Sequence, residues 1–151
     1  MALACALGRA GVRTIILEKT PFNTQLEPTF DGRVSAIAHA SVKMLRAIGV
    51  WQKMESHAQP ILDIRVAEKH SPAFVHYDHR DVGTEPMGYI LENRHIRHGL
   101  VQRLAELPDV EVIAPAQWES VKAEQSRSAI QIQDRMINSA LVVCAEGKYS
   151  P

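Results

Sequence analysis

Apolar positions along the chain switch between helical and strand spacing. Leu3 and Leu7 stand four apart with Ala6 and Ala10 beside them, which predicts a helix over 2–10 with a thin apolar face. Gly11 follows where a helix commonly ends in a left-handed residue. Thr14-Ile15-Ile16-Leu17 is a continuous apolar run, the form of a parallel strand covered on both faces. Residues 20–32, with Pro21, Pro28 and Gly32, read as loop. From Ser35 to Ile48 the spacing of Ile37, Val42, Leu45 and Ile48 predicts a second helix, closed by Gly49, with Trp51 opening a short third one.

Beyond Pro60 the pattern changes. Leu62, Ile64 and Val66 alternate with Asp63, Arg65 and Ala67, as in a half-exposed strand, and Phe74 to Tyr77 forms another. A polar loop runs to Pro86. Gly88 to Leu91 leads into Asn93, which suits the N-cap of a helix through Leu107 whose apolar face holds Ile96, Leu100, Val101 and Leu104. Strands are predicted at Val110 to Ile113, Trp118 to Ala123, Ile130 to Gln133 and Leu141 to Val143. There is no internal repeat or low-complexity segment. Helices alternating with strands, and antiparallel-looking strands between them, predict an α/β fold.

Composition narrows the reading only at its edges. A length of 151 residues suits one domain. Seventeen basic and seventeen acidic side chains cancel, so bulk charge makes no case for nucleic acid or an anionic membrane surface. Cys5 and Cys144 lie far apart in apolar stretches and read as small core residues of a reducing compartment. No apolar run approaches the roughly 18 residues of a spanning helix. MALACAL lacks the preceding basic region of a signal peptide, and a buried helix fits it better.

Three places could carry chemistry. Glu18 ends an apolar strand, where an acid in a dinucleotide-binding unit hydrogen-bonds ribose; the plain alternative is an acid at a surface strand end. Asp31-Gly32-Arg33 stands directly before the predicted second helix. Its Arg could hold a phosphate or a flavin carbonyl edge, or could simply pair with Asp31. Arg94 and Arg97 fall in the first turn of the helix after Glu92-Asn93. There they oppose the macrodipole, which points either to an anionic partner or to two side chains in water. His76 with His79, and His95 with His98, are each three apart, but no third ligand stands at matching distance. No nucleophile motif is present.

Taken in order, GRAGVRTIILEK, DGRVSAIAHASVKMLRAIGVW, PILDIRV, GYILENRHIRHGL and LVVCAEGKYSP resemble the FAD-dependent aromatic hydroxylases of ubiquinone biosynthesis, of the 2-polyprenyl-6-methoxyphenol hydroxylase type. These are single-component flavin monooxygenases related to the phenol and hydroxybenzoate hydroxylases. The resemblance covers nearly the whole chain. It implies a partial Rossmann-like FAD-binding domain over 1–151, lacking the first strand and Gly-rich turn, with the substrate domain absent. A non-catalytic remnant, a partner-binding fragment or another phenol hydroxylase of the superfamily are the alternatives.

The resemblance further implies FAD as cofactor, NAD(P)H as co-substrate and a polyprenyl phenol as substrate, hydroxylated with O2. Residue by residue it gives Glu18 to the adenosine ribose, Arg33 to the flavin side and Arg97 to the FAD pyrophosphate. Glu146 and Gly147 fall in a motif linked to both FAD and NAD(P)H, although Glu146 stands where the family has Asp, and Cys144 where Gly is commoner. No catalytic residue and no metal ligand is expected in this stretch. The resemblance also implies a cytoplasmic location, peripheral at the inner membrane (the matrix side in a mitochondrion), and contact with other ubiquinone-biosynthesis proteins.

Overall fold

The computed structural model describes residues 1–27, 31–123, 127–132, 135–145 and 147. Helix α1 (Ala2–Arg9) is followed by strand β1 (Thr14–Leu17), which pairs in parallel with β7 (Val110–Ile113), Thr14 opposite Val110 and Leu17 opposite Ile113. Gly11 has φ +73°, the left-handed end expected of it.

The buried face of α1 differs from the predicted one. Ala4, Cys5 and Gly8 are buried, whereas Leu3 is half exposed. Contact distance explains the change. A Cβ on Gly8 would collide with Val110 Cγ2 and lie 3.2 Å from Leu107 Cδ1. Only a strip of small residues lets the helix approach so closely, so the larger leucines turn aside. Strand β1 is likewise less covered than its apolar run suggested, since Ile15 is exposed.

The segment predicted as loop over 20–32 contains a short helix, α2 (Phe22–Leu26), entered from Pro21. The predicted helix from Ser35 begins as a strand instead. Strand β2 (Val34–Ala38) pairs antiparallel with β6 (Gly88–Glu92), and helix α3 (His39–Ala47) starts only afterwards. Long-range pairing overrides the helical propensity of its alanines. Gly88 permits this pairing, because a Cβ there would meet the Ile37 carbonyl oxygen. Strand β3 (Gln59–Ile61) completes that three-stranded sheet on the other edge of β6.

Two short 3₁₀ turns, Trp51–Lys53 and Glu55–His57, follow α3. Trp51 is fully buried and packs on Tyr89 at 4.9 Å between ring centres. Strands β4 (Asp63–Ala67) and β5 (Phe74–Asp78) form an exposed hairpin. Helix α4 (Asn93–Ala105) brings Leu100 and Leu104 into the main core with Val42, Leu45, Trp51, Met54 and Leu91. Its N-cap is Glu92, not Asn93. The Asn93 side chain instead accepts from Ser35 Oγ at 2.6 Å and donates to Asp31 Oδ2 at 3.1 Å.

Strands β8 (Trp118–Ala123), β9 (Ser128–Ile132) and β10 (Arg135–Ser139) make an antiparallel meander. Ile130, Ile132 and Ile137 form a second core against Leu17 and Ile113, at the carboxyl ends of β1 and β7. Leu141–Val143, expected as a strand, pairs with no strand among the described residues, and Leu141 is largely exposed. Cys5 is buried as expected. Cys144 is exposed, and so is not a core residue.

Candidate functional site

Glu18 lies at the carboxyl end of the parallel pair, the edge where α/β sheets receive ligands. Its backbone N–H donates to the Ile113 carbonyl at 3.1 Å, and its own carbonyl accepts from Ala116 N at 2.8 Å. These bonds carry the ladder one residue beyond β1 and fix the backbone of Glu18. The half-buried carboxylate is oriented locally, accepting from the Thr20 backbone N–H at 3.0 Å.

From this turn a line of hydrogen bonds reaches α4. Gln25 Nε2 on α2 donates to the Thr20 carbonyl at 2.9 Å, and the Gln25 carbonyl accepts from Arg97 Nε at 3.0 Å. Arg97 Nη1 donates in turn to Asp31 Oδ2 at 3.0 Å. Asp31 then holds Arg33, through Nε at 2.9 Å, Nη2 at 3.0 Å and the backbone N–H at 3.0 Å. Glu18, Arg97 and Arg33 are thus joined into one line through Thr20, Gln25 and Asp31.

Arg33 precedes strand β2, not a helix. The correction follows from the pairing of β2 with β6, which extends as the Asn93 N–H donates to the Arg33 carbonyl at 2.9 Å. That bond sets the Asp31–Arg33 loop against the start of α4. The Arg33 side chain remains 82% exposed even while one edge is held by Asp31. A guanidinium carries five N–H donors, so its bidentate pairing leaves donors for a further acceptor.

The first turn of α4 resolves its conflict with the macrodipole by carboxylates, not by solvent. Arg94 Nε lies 2.7 Å from Glu92 Oε2, and Arg97 is only 15% exposed beside Asp31. The Arg33 guanidinium, the Asn93 amide, the Arg33 N–H and Arg97 together hold the Asp31 carboxyl well below the usual carboxylate range. The same contact raises the Arg33 pKa above its ordinary value.

Gly147 has φ +77°, a conformation that favours glycine, with open space where a Cβ would stand. Glu146 lies outside the described residues. The histidines serve elsewhere. His76 meets Asp63 at 2.7 Å, while His95 stacks on His57 with ring centres 3.8 Å apart. Burial, then the neighbouring His57 and Arg94, lower the His95 pKa. Among the described residues no group of three or more His, Cys, Asp or Glu side chains is placed to hold a metal ion. A hollow of about 400 Å³ lies beside Phe22, Val101, Leu104 and Val110, and one of about 600 Å³ beside His39, Lys43 and Glu85. Neither is lined by Glu18, Arg33 or Arg97.

Gln25 is the member that sequence reasoning missed, whereas the alternative pairing of Arg33 with Asp31 is present. Asp31 carried a readable signal, since an Asp that accepts the N–H two residues on is a common turn device. Gln25 carried none, because its role depends on contacts with Thr20 and with a residue on α4.

A family model described as FAD binding domain matches residues 1–151. The chain is 37% identical over 149 residues to ubiquinone hydroxylase UbiL of Rhodospirillum rubrum, covering 98% of this chain and 34% of that protein. It is 27% identical over 154 residues to the 3-demethoxyubiquinol 3-hydroxylase of Escherichia coli, covering 99% of this chain and 39% of that one. The chain therefore spans between about a third and two fifths of the length of these curated relatives. Among solved structures, p-nitrophenol 4-monooxygenase PnpA from Pseudomonas putida superposes with a TM-score of 0.69 at 18% identity, over 91% of this chain and 35% of that one. That likeness shows the fold. With a family match along its whole length and an α/β framework that places Glu18 at the carboxyl end of a parallel strand, the chain belongs to the FAD binding domain family.

Proposed function

We propose that residues 1–151 are the FAD-binding part of a flavin-dependent monooxygenase that hydroxylates a polyprenyl phenol ring in ubiquinone biosynthesis. The reading draws on the similarity to UbiL and the Escherichia coli hydroxylase. The observation that carries it is the single hydrogen-bonded line from Glu18 through Gln25 and Arg97 to Asp31 and Arg33. A carboxylate at one end and an exposed guanidinium at the other suit a ligand with ribose hydroxyls at one end and a ring system bearing carbonyl acceptors at the other.

In this reading Glu18 accepts hydrogen bonds from the adenosine ribose. Arg33 donates on the flavin side. Arg97, fixed by Gln25 and Asp31, directs its positive charge toward the pyrophosphate. Glu146 and Gly147 belong to the motif shared by FAD and NAD(P)H. When bound, FAD supplies the redox chemistry by which NAD(P)H and a proton are consumed with O2, one oxygen entering a ring C–H bond and the other leaving as water. This stretch of chain contributes binding and orientation, and no residue in it is assigned to proton transfer. Among the described residues no helix is long and apolar enough to cross a membrane. Independently of that, the same reading takes the polyprenyl substrate to be reached by peripheral association, alongside other ubiquinone-biosynthesis proteins.

The test uses the intact protein loaded with FAD, a polyprenyl phenol, NADH or NADPH, and isotopically labelled O2. One labelled oxygen atom in the ring product is expected. Flavin reduction and reoxidation without label in the phenol would overturn the substrate assignment.

A further inference from the structure

Gln25 is a buried polar residue, 7% exposed. It sits on α2, a helix of five residues, too short to hold itself by its own hydrogen bonds. What fixes α2 is its contacts. Phe22 packs against the main core, and the Gln25 carbonyl receives Arg97 from α4. An apolar side chain would fill the Gln25 position with less desolvation, because an amide buried without a partner is costly. The partner present is the Thr20 carbonyl. The N–H of that same Thr20 orients the Glu18 carboxylate.

We propose that Gln25 is a positioning residue for the FAD site, clamping the Glu18 turn to Arg97 so that the two ends of the site are held at a fixed spacing. The proposal rests on the FAD reading of Glu18 given above. The Gln25 side chain grips the turn through Thr20, and its carbonyl grips α4. Removing the side chain frees the turn while leaving the Arg97 contact in place. Glu18 then samples orientations that do not match the ribose, although its carboxylate is intact.

Two measurements on the intact protein test this separately. The first is amide hydrogen exchange without FAD. Gln25→Met should speed exchange at Thr20 by about tenfold or more, while the amide of residue 25, bonded to the Pro21 carbonyl, stays protected. Unchanged exchange at Thr20 overturns the proposal. The second is a double-mutant cycle on FAD affinity. Gln25→Met should weaken binding about tenfold, and should add nothing once Glu18→Ala is present. Losses that add independently overturn the clamp. Unchanged affinity in Glu18→Ala overturns the FAD reading of Glu18, and is recognised by a Thr20 amide that still responds to Gln25→Met. Should Gln25→Met loosen every amide together, Gln25→Glu decides. Its carboxyl can donate to Thr20 only when protonated, so Thr20 protection that returns on acidification relative to wild type supports the clamp, and protection that stays lost overturns it.

Discussion

The Asp31 carboxylate receives the Arg97 guanidinium at 3.0 Å, joining the loop before β2 to the first turn of α4. The same carboxylate holds Arg33. Both arginines proposed to contact FAD therefore share one counter-charge, and what happens to Asp31 must reach both.

Asp31→Asn keeps the side-chain shape and removes the charge. The folded-state pKa of Asp31 is depressed, chiefly by Arg33, then by Asn93 and Arg97. Its stabilisation is thus present above the unfolded value of about 3.9 and is lost as pH falls through the folded value. Wild type should show a higher urea midpoint than Asp31→Asn at pH 7, with the gap narrowing at pH 3. A gap that stays constant would show that the charge on Asp31 does not support the fold.

Arg33→Ala and Arg97→Ala should separate binding from stability. Arg33 is exposed, so its loss should lower the melting temperature less than loss of Arg97 does, and should weaken FAD binding about tenfold, as expected for one charge-assisted hydrogen bond. Arg97 is largely buried between Asp31 and the Gln25 carbonyl, so its loss should lower both FAD affinity and melting temperature. Flavin fluorescence titration and thermal melts of the two variants check this. Equal melting temperatures would contradict the structural role of Arg97.

Gly88→Ala and Gly8→Ala test two close approaches of different kinds. At Gly8 the added Cβ meets side-chain atoms of Val110 and Leu107 as its nearest neighbours, with no backbone atom among them. The expected loss is about 1–2 kcal/mol, overpacking partly offset by better helix propensity. At Gly88 it meets the Ile37 carbonyl, which is backbone within the β2–β6 pair. Gly88→Ala should therefore be the more destabilising, by about 2 kcal/mol or more. Denaturant midpoints give the order directly.

Much of the parallel pair was legible in the sequence, because Thr14–Leu17 and Val110–Ile113 are short apolar runs next to turn residues, and Gly11 marks the end of α1. Glu18 could be placed at its strand end for the same reason. Residues 34–38 could not be read, since Ile37 shares a helical spacing with Val42 and Leu45 while its strand exists only through pairing with β6. Leu141–Val143 shows the converse. An apolar run becomes a strand only where a neighbouring ladder accepts its amides, and these residues pair with none among the described ones. The site divides similarly. Residue types at Glu18, Arg33 and Arg97, and the pairing of Arg33 with Asp31, were visible, whereas the bonds from Gln25 and Asp31 to Arg97 cross 72 and 66 positions of sequence.

The stacked pair His57 and His95 sets a final expectation, about acid. The rings lie 3.8 Å apart and nearly parallel, and the His57 backbone N–H donates to the carbonyl of the buried Met54. Burial first, then His57, Arg94 and His98, disfavour a proton on His95, and only Glu92 among its charged neighbours favours one. The folded pKa therefore lies below the ordinary value of about 6.5. An imidazole with a depressed folded pKa binds more protons when unfolded, so the stability tied to its neutral form is complete above about pH 6.5 and declines as pH falls through the folded value. Replacing the ring with Phe preserves stacking on His57 and removes the titration. Wild type should lose denaturant midpoint between pH 7.5 and pH 5, and His95→Phe should lose less over the same interval. Asp31 does not confuse the comparison, because its own window opens only below about pH 4. Parallel declines in the two proteins would mean that another group carries the acid sensitivity in this interval, leaving the His57–His95 stack as a packing contact alone.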